Sequence, residues 1–219
     1  MSYVVAGGIV RNRDWIIGRS IRSIQSQTVP PDIINYVTGD NEDKTQDVLF
    51  GLGIKHYTID TGYPGYERAP KNGRPRYSMS SLSYLRNEWC GINRDKATHL
   101  FVVDSDILPA PDVLFKLLNL GAPISAPWVP GCTPKMGMSG DYPVRNGNEW
   151  NIHEPFEATW VGGCYLLRKD FLDFCKWEPY GPDPRGEDVA MVAKARRGEF
   201  RIMVDPSARC EHIMKRDVP

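Results

Sequence analysis

The hydrophobic and polar positions of the first 59 residues alternate between strand and helix patterns. Residues 3–10 are apolar and largely β-branched, which is typical of a buried strand. Isoleucines then recur at helical spacing, with Asp14 as a candidate N-cap and the two prolines at 30–31 as a stop. A second strand, a second helix and a third strand follow at Ile33–Val37, Asp43–Leu52 and Lys55–Ile59. This order predicts a parallel sheet with helices on its faces.

After residue 60 the pattern is interrupted twice. Residues 61–76 and 130–151 have no periodicity and are rich in Gly and Pro, so each predicts a long loop. We expect both to interrupt one α/β domain that spans residues 1–219 and has a mostly parallel central sheet. Four more helices are predicted: one marked by Met79 to Trp89, one that begins at Pro111, and two at Phe171–Lys176 and Asp188–Arg197. Four more strands are predicted: one that ends at Asp104, and three at Ile124–Val129, Ala158–Leu167 and Arg201–Val204.

Composition narrows the classes of partner. The 27 basic and 27 acidic residues balance, so any anionic partner must be held by a local patch and not by bulk charge. No apolar stretch approaches the ~20 residues that span a bilayer, and the first strand lacks the features of a signal peptide. We therefore expect a cytoplasmic protein, from a bacterium or a virus-infected host cell. The cysteines have no close pair and predict reduced, buried thiols: Cys90, Cys132, Cys164, Cys175 and Cys210.

Two carboxylates end the predicted strand at residue 104. Asp104 and Asp106 are separated by one residue, and side chains two apart in an extended strand point the same way. Like charges held side by side suit a divalent cation, and hard oxygen ligands favour Mg²⁺ or Mn²⁺ over Zn²⁺. The alternative is an ordinary turn after a strand, where Asp and Ser are common.

Other predicted strands also end in polar or glycine-rich residues. Open α/β sheets bind ligands beyond the carboxyl ends of their strands, so these residues predict a site at one edge of the sheet. The dinucleotide fingerprint and the phosphate-binding loop of nucleoside triphosphatases are both absent from the sequence, which argues against those two classes. The residues at this edge are Gly7–Gly8, Arg11–Asn12, Asp40–Asn41 and Asp104–Asp106.

Six segments fit one known pattern in order and spacing: Val4–Asp14 continuing to Ser23–Thr28, Asp40–Thr45, Leu85–Asn87, Asp104–Asp106, Val161–Arg168 and Gly186–Asp188. Together they resemble the GT-A glycosyltransferases, and most closely the family-two-like members. The resemblance covers nearly the whole chain. It implies a GT-A, Rossmann-like fold with a nucleotide-sugar-binding half at about residues 1–106 and an acceptor-binding half at about 107–219.

The resemblance also implies an activity: metal-dependent, inverting transfer of a sugar from a nucleotide diphosphate sugar to an acceptor hydroxyl. Asp188 would be the general base, and Glu187 would hydrogen-bond the acceptor. Asp106, with Asp104, would ligate Mn²⁺ or Mg²⁺ at the diphosphate. His212, just beyond the last predicted strand, is a further candidate ligand.

The implied donor-binding residues lie in both halves of the chain. Asp40 would accept a hydrogen bond from the base, and Arg86 and Asn87 would help to hold the nucleotide. UDP is the default nucleotide, since residues 41–43 depart from the family's usual Asp-Gly-Ser. The full set is Ala6, Gly7, Gly8, Arg11, Asp40, Arg86, Asn87, Asp104, Ser105, Gly162 and Gly163.

Two other functions stay open on the sequence. A sugar nucleotidyltransferase shares the sheet type and the metal-binding carboxylates, but its glycine-rich loop with a basic residue after the first strand is absent. A sugar-binding protein without catalysis would have no need of Asp104, Asp106 and Asp188 together. Glu187 and Asp188 also have a simpler explanation, because acids at a helix start complement its dipole.

Aromatic residues give two further hypotheses. Trp128, Trp150 and Trp160 flank the second loop and could form a stacking wall for a sugar, although aromatics at strand ends are more often core. Residues 63–77 interleave basic and aromatic side chains, which could follow a nucleic-acid backbone, clamp the diphosphate or simply be solvated. Hydroxymethylated bases in DNA are therefore among the candidate acceptors, beside glycan precursors, metabolites and proteins.

Overall fold

The computed structural model of the chain describes residues 2–59, 61, 81–130, 153–178 and 187–213, except for the side chain of residue 189. It also describes the backbone, without side chains, of residues 67–68, 75–76, 79–80, 135–136, 145–146 and 149–150. The helices in these ranges are α1 (Ile17–Gln25), α2 (Thr45–Gly51), α3 (Met79–Asn93), α4 (Val113–Leu120), α5 (Lys169–Leu172) and α6 (Glu187–Arg197). The strands are β1 (Val4–Val10), β2 (Ile33–Thr38), β3 (Lys55–Thr58), β4 (Glu67–Arg68), β5 (Pro75–Arg76), β6 (His99–Val103), β7 (Ile107–Pro109), β8 (Ile124–Trp128), β9 (Lys135–Met136), β10 (Arg145–Asn146), β11 (Glu149–Trp150), β12 (Phe156–Trp160), β13 (Cys164–Arg168) and β14 (Ile202–His212).

A ten-stranded mixed sheet forms the centre of the molecule, in the order β3-β2-β1-β6-β13-β8-β14-β12-β9, with β7 paired to β14. β3, β2, β1 and β6 are parallel neighbours, and β8 and β14 form a second parallel pair. β13 lies antiparallel between β6 and β8, and β12 lies antiparallel beside β14. Most strands therefore run in one direction, which confirms the predicted α/β fold with a mostly parallel central sheet.

β1 shows how the sequence builds this sheet. All seven of its residues are buried, as expected for a strand covered on both faces. Its side chains alternate between two apolar clusters: Val5 shares one with Leu85 and Trp89 of α3, and Val4 shares the other with Leu114 of α4. The continuous apolar run in the sequence thus reflects a strand between two layers of helices.

Some elements begin elsewhere than predicted. The N-cap position of α1 is Ile16, without a side-chain capping bond. Asp14 instead joins the neighbouring loop, where its backbone N–H donates to Asp43 Oδ2 at 3.1 Å. α4 begins at Val113, two residues after Pro111.

The two C-terminal strand predictions also need correction. The predicted strand Ala158–Leu167 is two strands, β12 and β13, because the chain breaks at the Gly162–Gly163 pair, where Gly163 has a φ of 76°. The last strand continues to His212 and pairs there with β7. β7 was not predicted, since it is three residues long and ends in a proline.

The two predicted loops lie mostly outside the described residues. Within them the backbone of β4 pairs with β5 and that of β10 with β11, while β9 joins the central sheet beside β12. These short pairings were not predicted.

Two expectations about the rest of the chain can be compared with the structure. Across the described residues, none of the helices combines the length and the apolar character needed to cross a bilayer. Cys90, Cys164, Cys175 and Cys210 are free and buried, as predicted, and Cys132 lies outside the described residues.

Candidate active site

A cavity of about 210 Å³ opens at the carboxyl ends of β1 and β6. This is the edge of the sheet at which the sequence predicted a ligand site. Much of the lining is polar and charged, and several predicted site residues meet there. The lining residues are Ile9, Val10, Arg11, Arg13, Leu82, Arg86, Asp104, Ser105, Asp106 and Glu187.

The two carboxylates after β6 both line this cavity, but they lie in a turn and not in the strand. The turn is closed by the Ile107 N–H, which donates to the Asp104 carbonyl at 2.9 Å. The Asp104 N–H donates to the Gly163 carbonyl at 2.8 Å, which ties the turn to the β12–β13 connection. Burial raises the pKa of Asp104, and the adjacent Arg86 guanidinium opposes that rise.

Arg86 of α3 is the centre of the charged network. Its Nη2 donates to Asp104 Oδ1 at 2.7 Å, and its Nε donates to Glu187 Oε1 at 2.5 Å. The same Nε lies 4.0 Å from Asp188 Oδ1. Arg86 Nη1 is buried and has no hydrogen-bond partner among the described residues. One buried cation therefore joins the end of β6 to the start of α6 and keeps one donor unused.

Arg13 is a second cation at the cavity that the sequence did not predict as a site residue. Its Nη2 lies 3.7 Å from Asp106 Oδ2, and its backbone N–H donates to Thr45 Oγ1 at 2.7 Å. The loop after β1 is thereby held against the loop before α2. Arg13 places a positive charge beside the predicted metal ligand.

Asp188 lies in the first turn of α6 with its side chain 12% exposed. Tyr165 of β13 donates its hydroxyl proton to Asp188 Oδ1 at 2.7 Å. The indole Nε1 of Trp177 lies 3.3 Å from the same oxygen and 3.2 Å from the Tyr165 hydroxyl. Burial raises the pKa of Asp188 to about 7; Arg86 lowers that pKa, and the Glu187 and Asp104 carboxylates raise it.

The Gly162–Gly163 pair lies between β12 and β13 and touches both ends of the site. The Gly163 carbonyl holds the Asp104 turn, as described above. A Cβ on Gly162 would lie 3.2 Å from Asp188 Oδ2 and 3.1 Å from the Trp160 ring. A side chain at residue 162 would therefore crowd both Asp188 and Trp160.

Three predicted donor-binding residues lie within β1 and do not line the cavity. Ala6 is fully buried in the core, beside Ile34 of β2 and Phe101 of β6. Gly7 is required by close backbone approach, because a Cβ there would lie 1.9 Å from the Asn35 carbonyl oxygen. Gly8 is buried in the same strand. The structure thus places all three in the packing of β1, and their role in donor binding stays a prediction.

Two further predicted donor-binding residues are engaged elsewhere. Asn87 donates from Nδ2 to the Trp177 carbonyl at 2.7 Å and accepts the Trp177 N–H at 3.0 Å, so it holds the chain in front of α6. Asp40 has a φ of 49° and accepts the Thr61 hydroxyl proton at 2.9 Å. Neither residue lines the cavity.

His212 is the last residue of β14, and not beyond the final strand as predicted. Its Nδ1 lies 3.1 Å from the Pro130 carbonyl oxygen, a contact that gives the imidazole a backbone partner. Among the described residues, no group of three or more His, Cys, Asp or Glu side chains is arranged to hold a metal ion. Asp104 and Asp106 still offer hard oxygen donors on one cavity wall, which suits a cation that also binds substrate phosphates.

The predicted stacking wall is only partly accessible. Trp128 is 4% exposed and belongs to the core, the more common position for an aromatic residue at a strand end. Trp160 lies beside Gly162 and is partly exposed. The side chains of Trp150 and of residues 63–77 lie outside the described residues.

Tyr165, Trp177 and Arg13 were not identified as site residues from the sequence. Tyr165 follows the Gly162–Gly163 pair directly on the next strand, and this position was its one local signal. Trp177 had no such signal, since it reaches the site through contacts with residues distant in the chain. Arg13 lies two residues after Arg11 in the matched segment Val4–Asp14, and that position was its signal.

Comparison with solved structures identifies the fold. The crystal structure of S. aureus TarS matches 98% of this chain and 37% of its own, with a TM-score of 0.61 and 13% identity. The crystal structure of GalNAc-T7 with UDP, GalNAc and Mn²⁺ matches 98% of this chain and 44% of its own, with a TM-score of 0.67 and 13% identity. No protein-family model and no curated protein sequence matches the chain.

These likenesses confirm the resemblance at the level of structure. The chain has the fold of the GT-A glycosyltransferases, and its match covers nearly its whole length. It spans less than half the length of either of the two matched chains.

Proposed function

We propose that this protein is a metal-dependent, inverting glycosyltransferase that moves a sugar from a nucleotide diphosphate sugar, by default a UDP-sugar, to an acceptor hydroxyl. The observation that carries the proposal is the contact of Arg86 with both Asp104 and Glu187. Asp104 belongs to the proposed donor half, residues 1–106, and Glu187 to the proposed acceptor half, residues 107–219. A single buried cation thus joins the proposed donor and acceptor sites, and direct transfer requires these two sites to be adjacent.

The donor's diphosphate would lie against the cationic side of the cavity. Arg13 Nη2 lies 3.7 Å from Asp106, the carboxylate proposed to bind the metal ion. Arg86 Nη1 is buried without a partner among the described residues, and a phosphate oxygen would satisfy it. Asp106 and Asp104 would hold Mn²⁺ or Mg²⁺ together with phosphate oxygens. When bound, the ion neutralises charge that develops on the leaving diphosphate.

The acceptor's proton would go to Asp188. A general base works best with a pKa near the operating pH, and the Asp188 pKa of about 7 meets that condition. Glu187 would hold the acceptor hydroxyl beside it. As the hydroxyl oxygen bonds to the anomeric carbon, Asp188 takes its proton and the diphosphate leaves from the opposite face. A displacement in one step inverts the anomeric configuration.

The proposal is tested by incubating the protein with Mn²⁺ or Mg²⁺ and a panel of nucleotide sugars. Slow hydrolysis to free nucleoside diphosphate, lost on chelation and in Asp188→Asn, is the expected result. A sugar nucleotidyltransferase would instead form pyrophosphate from a nucleoside triphosphate and a sugar phosphate. Binding of nucleotide sugars without turnover under any of these conditions would contradict the proposed enzyme and leave a sugar-binding protein.

The acceptor follows from a second screen with an active donor. Glycan precursors, small metabolites, proteins and DNA that contains hydroxymethylated bases are the classes to compare. The DNA hypothesis rests on the basic and aromatic composition of residues 63–77. Analysis of the anomeric configuration in the product tests inversion.

A further inference from the structure

The two carboxylate oxygens of Asp188 have different surroundings. Oδ1 accepts the Tyr165 hydroxyl proton at 2.7 Å and lies 3.3 Å from Trp177 Nε1. It is also the oxygen 4.0 Å from Arg86 Nε. Oδ2 accepts no hydrogen bond from a described residue, and it faces the position where Gly162 lacks a side chain. Among the described residues, hydrogen-bond donors therefore meet Oδ1 and not Oδ2.

The donors to Oδ1 are themselves rigidly placed. Tyr165 is fully buried in β13 and Trp177 is 1% exposed, so neither ring can move without disturbing the core. The Asn87 side-chain amide makes two hydrogen bonds to the Trp177 backbone: its Nδ2 donates to the Trp177 carbonyl at 2.7 Å, and its Oδ1 accepts the Trp177 N–H at 3.0 Å. α3 thus fixes Trp177, and Trp177 with Tyr165 fixes the rotation of the Asp188 carboxylate.

Gly162 controls the approach to Oδ2. A methyl group there would lie 3.2 Å from Oδ2 and 3.1 Å from the Trp160 ring, which is closer than ordinary van der Waals contact on both sides. With glycine, no side chain at residue 162 crowds either Oδ2 or the Trp160 ring.

We infer that Oδ2 of Asp188 is the atom that takes the acceptor proton. Tyr165 and Trp177 are positioning residues, because their hydrogen bonds to Oδ1 orient the carboxylate so that Oδ2 receives that proton. The acceptor hydroxyl approaches Oδ2 past Gly162, beside Trp160. This inference rests on the proposed function and specifies its acceptor end. The proton passes from the acceptor hydroxyl to Oδ2 while the oxygen bonds to the sugar carbon. Oδ1 keeps its hydrogen bonds throughout.

The test uses hydrolysis of an active UDP-sugar in Mn²⁺, with water as acceptor, followed against pH. Tyr165→Phe removes a hydrogen bond that lowers the Asp188 pKa, so the acidic limb of the pH–rate profile should move up by about one pH unit. ¹³C NMR titration of the Asp188 carboxylate should show the same shift without any turnover. The rate should recover above the shifted pKa.

Gly162→Ala should behave differently, because it blocks access and leaves the hydrogen bonds to Oδ1 in place. We expect a loss of about a hundredfold that high pH does not recover. Trp177→Phe should shift the profile in the same direction as Tyr165→Phe. Trp89→Phe is its matched control: Trp89 is another buried indole, bonded to Asn35 and not to Asp188, and the profile should stay in place.

Two outcomes would overturn the inference in an active wild-type protein. Unchanged profiles and NMR titrations in Tyr165→Phe and Trp177→Phe would remove the positioning role. Full hydrolysis by Gly162→Ala would remove the approach past Gly162. If wild-type protein hydrolyses no nucleotide sugar, the proposed function fails first, and the NMR titrations still report whether Tyr165 and Trp177 control the carboxylate.

Discussion

At the scale of single residues, the site consists of charges held at low exposure. Arg86 is 5% exposed and Glu187 7% exposed in their side chains, and their contact is a short one. Two buried charges stabilise a protein little relative to apolar residues, but removing one partner leaves the other desolvated and unpaired. The network should therefore respond strongly to substitution of either partner.

Arg86→Ala should destabilise the fold by about 3–5 kcal/mol, because Glu187 loses its buried counter-ion. Urea unfolding at pH 7 measures the difference. The matched control is Lys169→Ala, which removes an ion pair with Asp173 whose side chains are 43% and 61% exposed. That change should cost under about 1 kcal/mol. Equal losses in the two variants would contradict the burial argument.

Asp188 should make stability depend on pH in an unusual direction. Its folded pKa of about 7 lies above the ordinary value of 3.8, so the folded state binds the proton more tightly than the unfolded state. The resulting stability is fully present below pH 3.8 and is lost as pH rises through about 7. The slope is at most about 1.4 kcal/mol per pH unit.

Asp188→Asn removes this titration. We expect the melting temperature of the wild type to fall relative to the variant between pH 5 and pH 8, since only the wild type must bury a charge as pH rises. Donor binding should persist in the variant, while turnover should fall by about a hundred- to ten-thousandfold. Parallel melting curves across this pH range would contradict the raised pKa, and near-normal turnover would remove the base assignment.

At the scale of elements, close packing of strands and connections builds the site. β1 lies against β2 with Gly7 opposite Asn35, and the strand reaches the cavity only at its last residues. The side-chain amide of Asn87, in α3, hydrogen-bonds the backbone of Trp177 and so connects the helix to the segment before α6. The position of the cavity walls thus depends on contacts several residues away from it.

Gly7→Ala and Gly91→Ala test this dependence as a pair. The methyl group at residue 7 would lie 1.9 Å from the Asn35 carbonyl oxygen, so β1 and β2 must separate, at a cost of about 1–3 kcal/mol or more. At residue 91, in α3, a methyl group meets nothing within 4 Å, and alanine should stabilise the helix by about 0.5–1 kcal/mol. Thermal unfolding measures both, and a stabilising Gly7→Ala would contradict the strand geometry.

At the scale of the whole molecule, the two proposed halves share one sheet. β13 belongs to the second half but lies between β6 and β8, next to the strand that ends in the two carboxylates. Binding at the cavity should therefore stabilise the entire domain and not one lobe of it. A ligand present at 100 times its Kd adds about 2.7 kcal/mol to the free energy of unfolding.

We expect Mn²⁺ and UDP together to raise the melting temperature in one cooperative transition. Asp106→Ala should lose most of that shift, because the proposed ion loses a hard ligand and the diphosphate charge is less compensated. Asp95→Ala is the control, since Asp95 is 86% exposed and remote from the cavity lining. A full shift in Asp106→Ala would contradict its assignment as a metal ligand.

The sequence by itself determined the order of the first five elements, the buried first strand, the carboxylates after β6 and the acidic start of α6. These features could be identified from local patterns, because side chains return to the same face every two residues in a strand and every three to four in a helix. Residues 104–106 and 187–188 were identifiable since each forms a compact motif. The same local rule placed β8 and α6 correctly to within a residue.

Only the tertiary structure decided which side chains meet. Tyr165 and Trp177 reach Asp188 across 23 and 11 residues of sequence, and Arg86 reaches Glu187 across 101. Ala6 packs in the core, Asn87 holds the Trp177 backbone, and His212 ends a strand that pairs with β7. Such contacts are set by how strands and helices pack in three dimensions, and periodicity along the chain carries no signal for them.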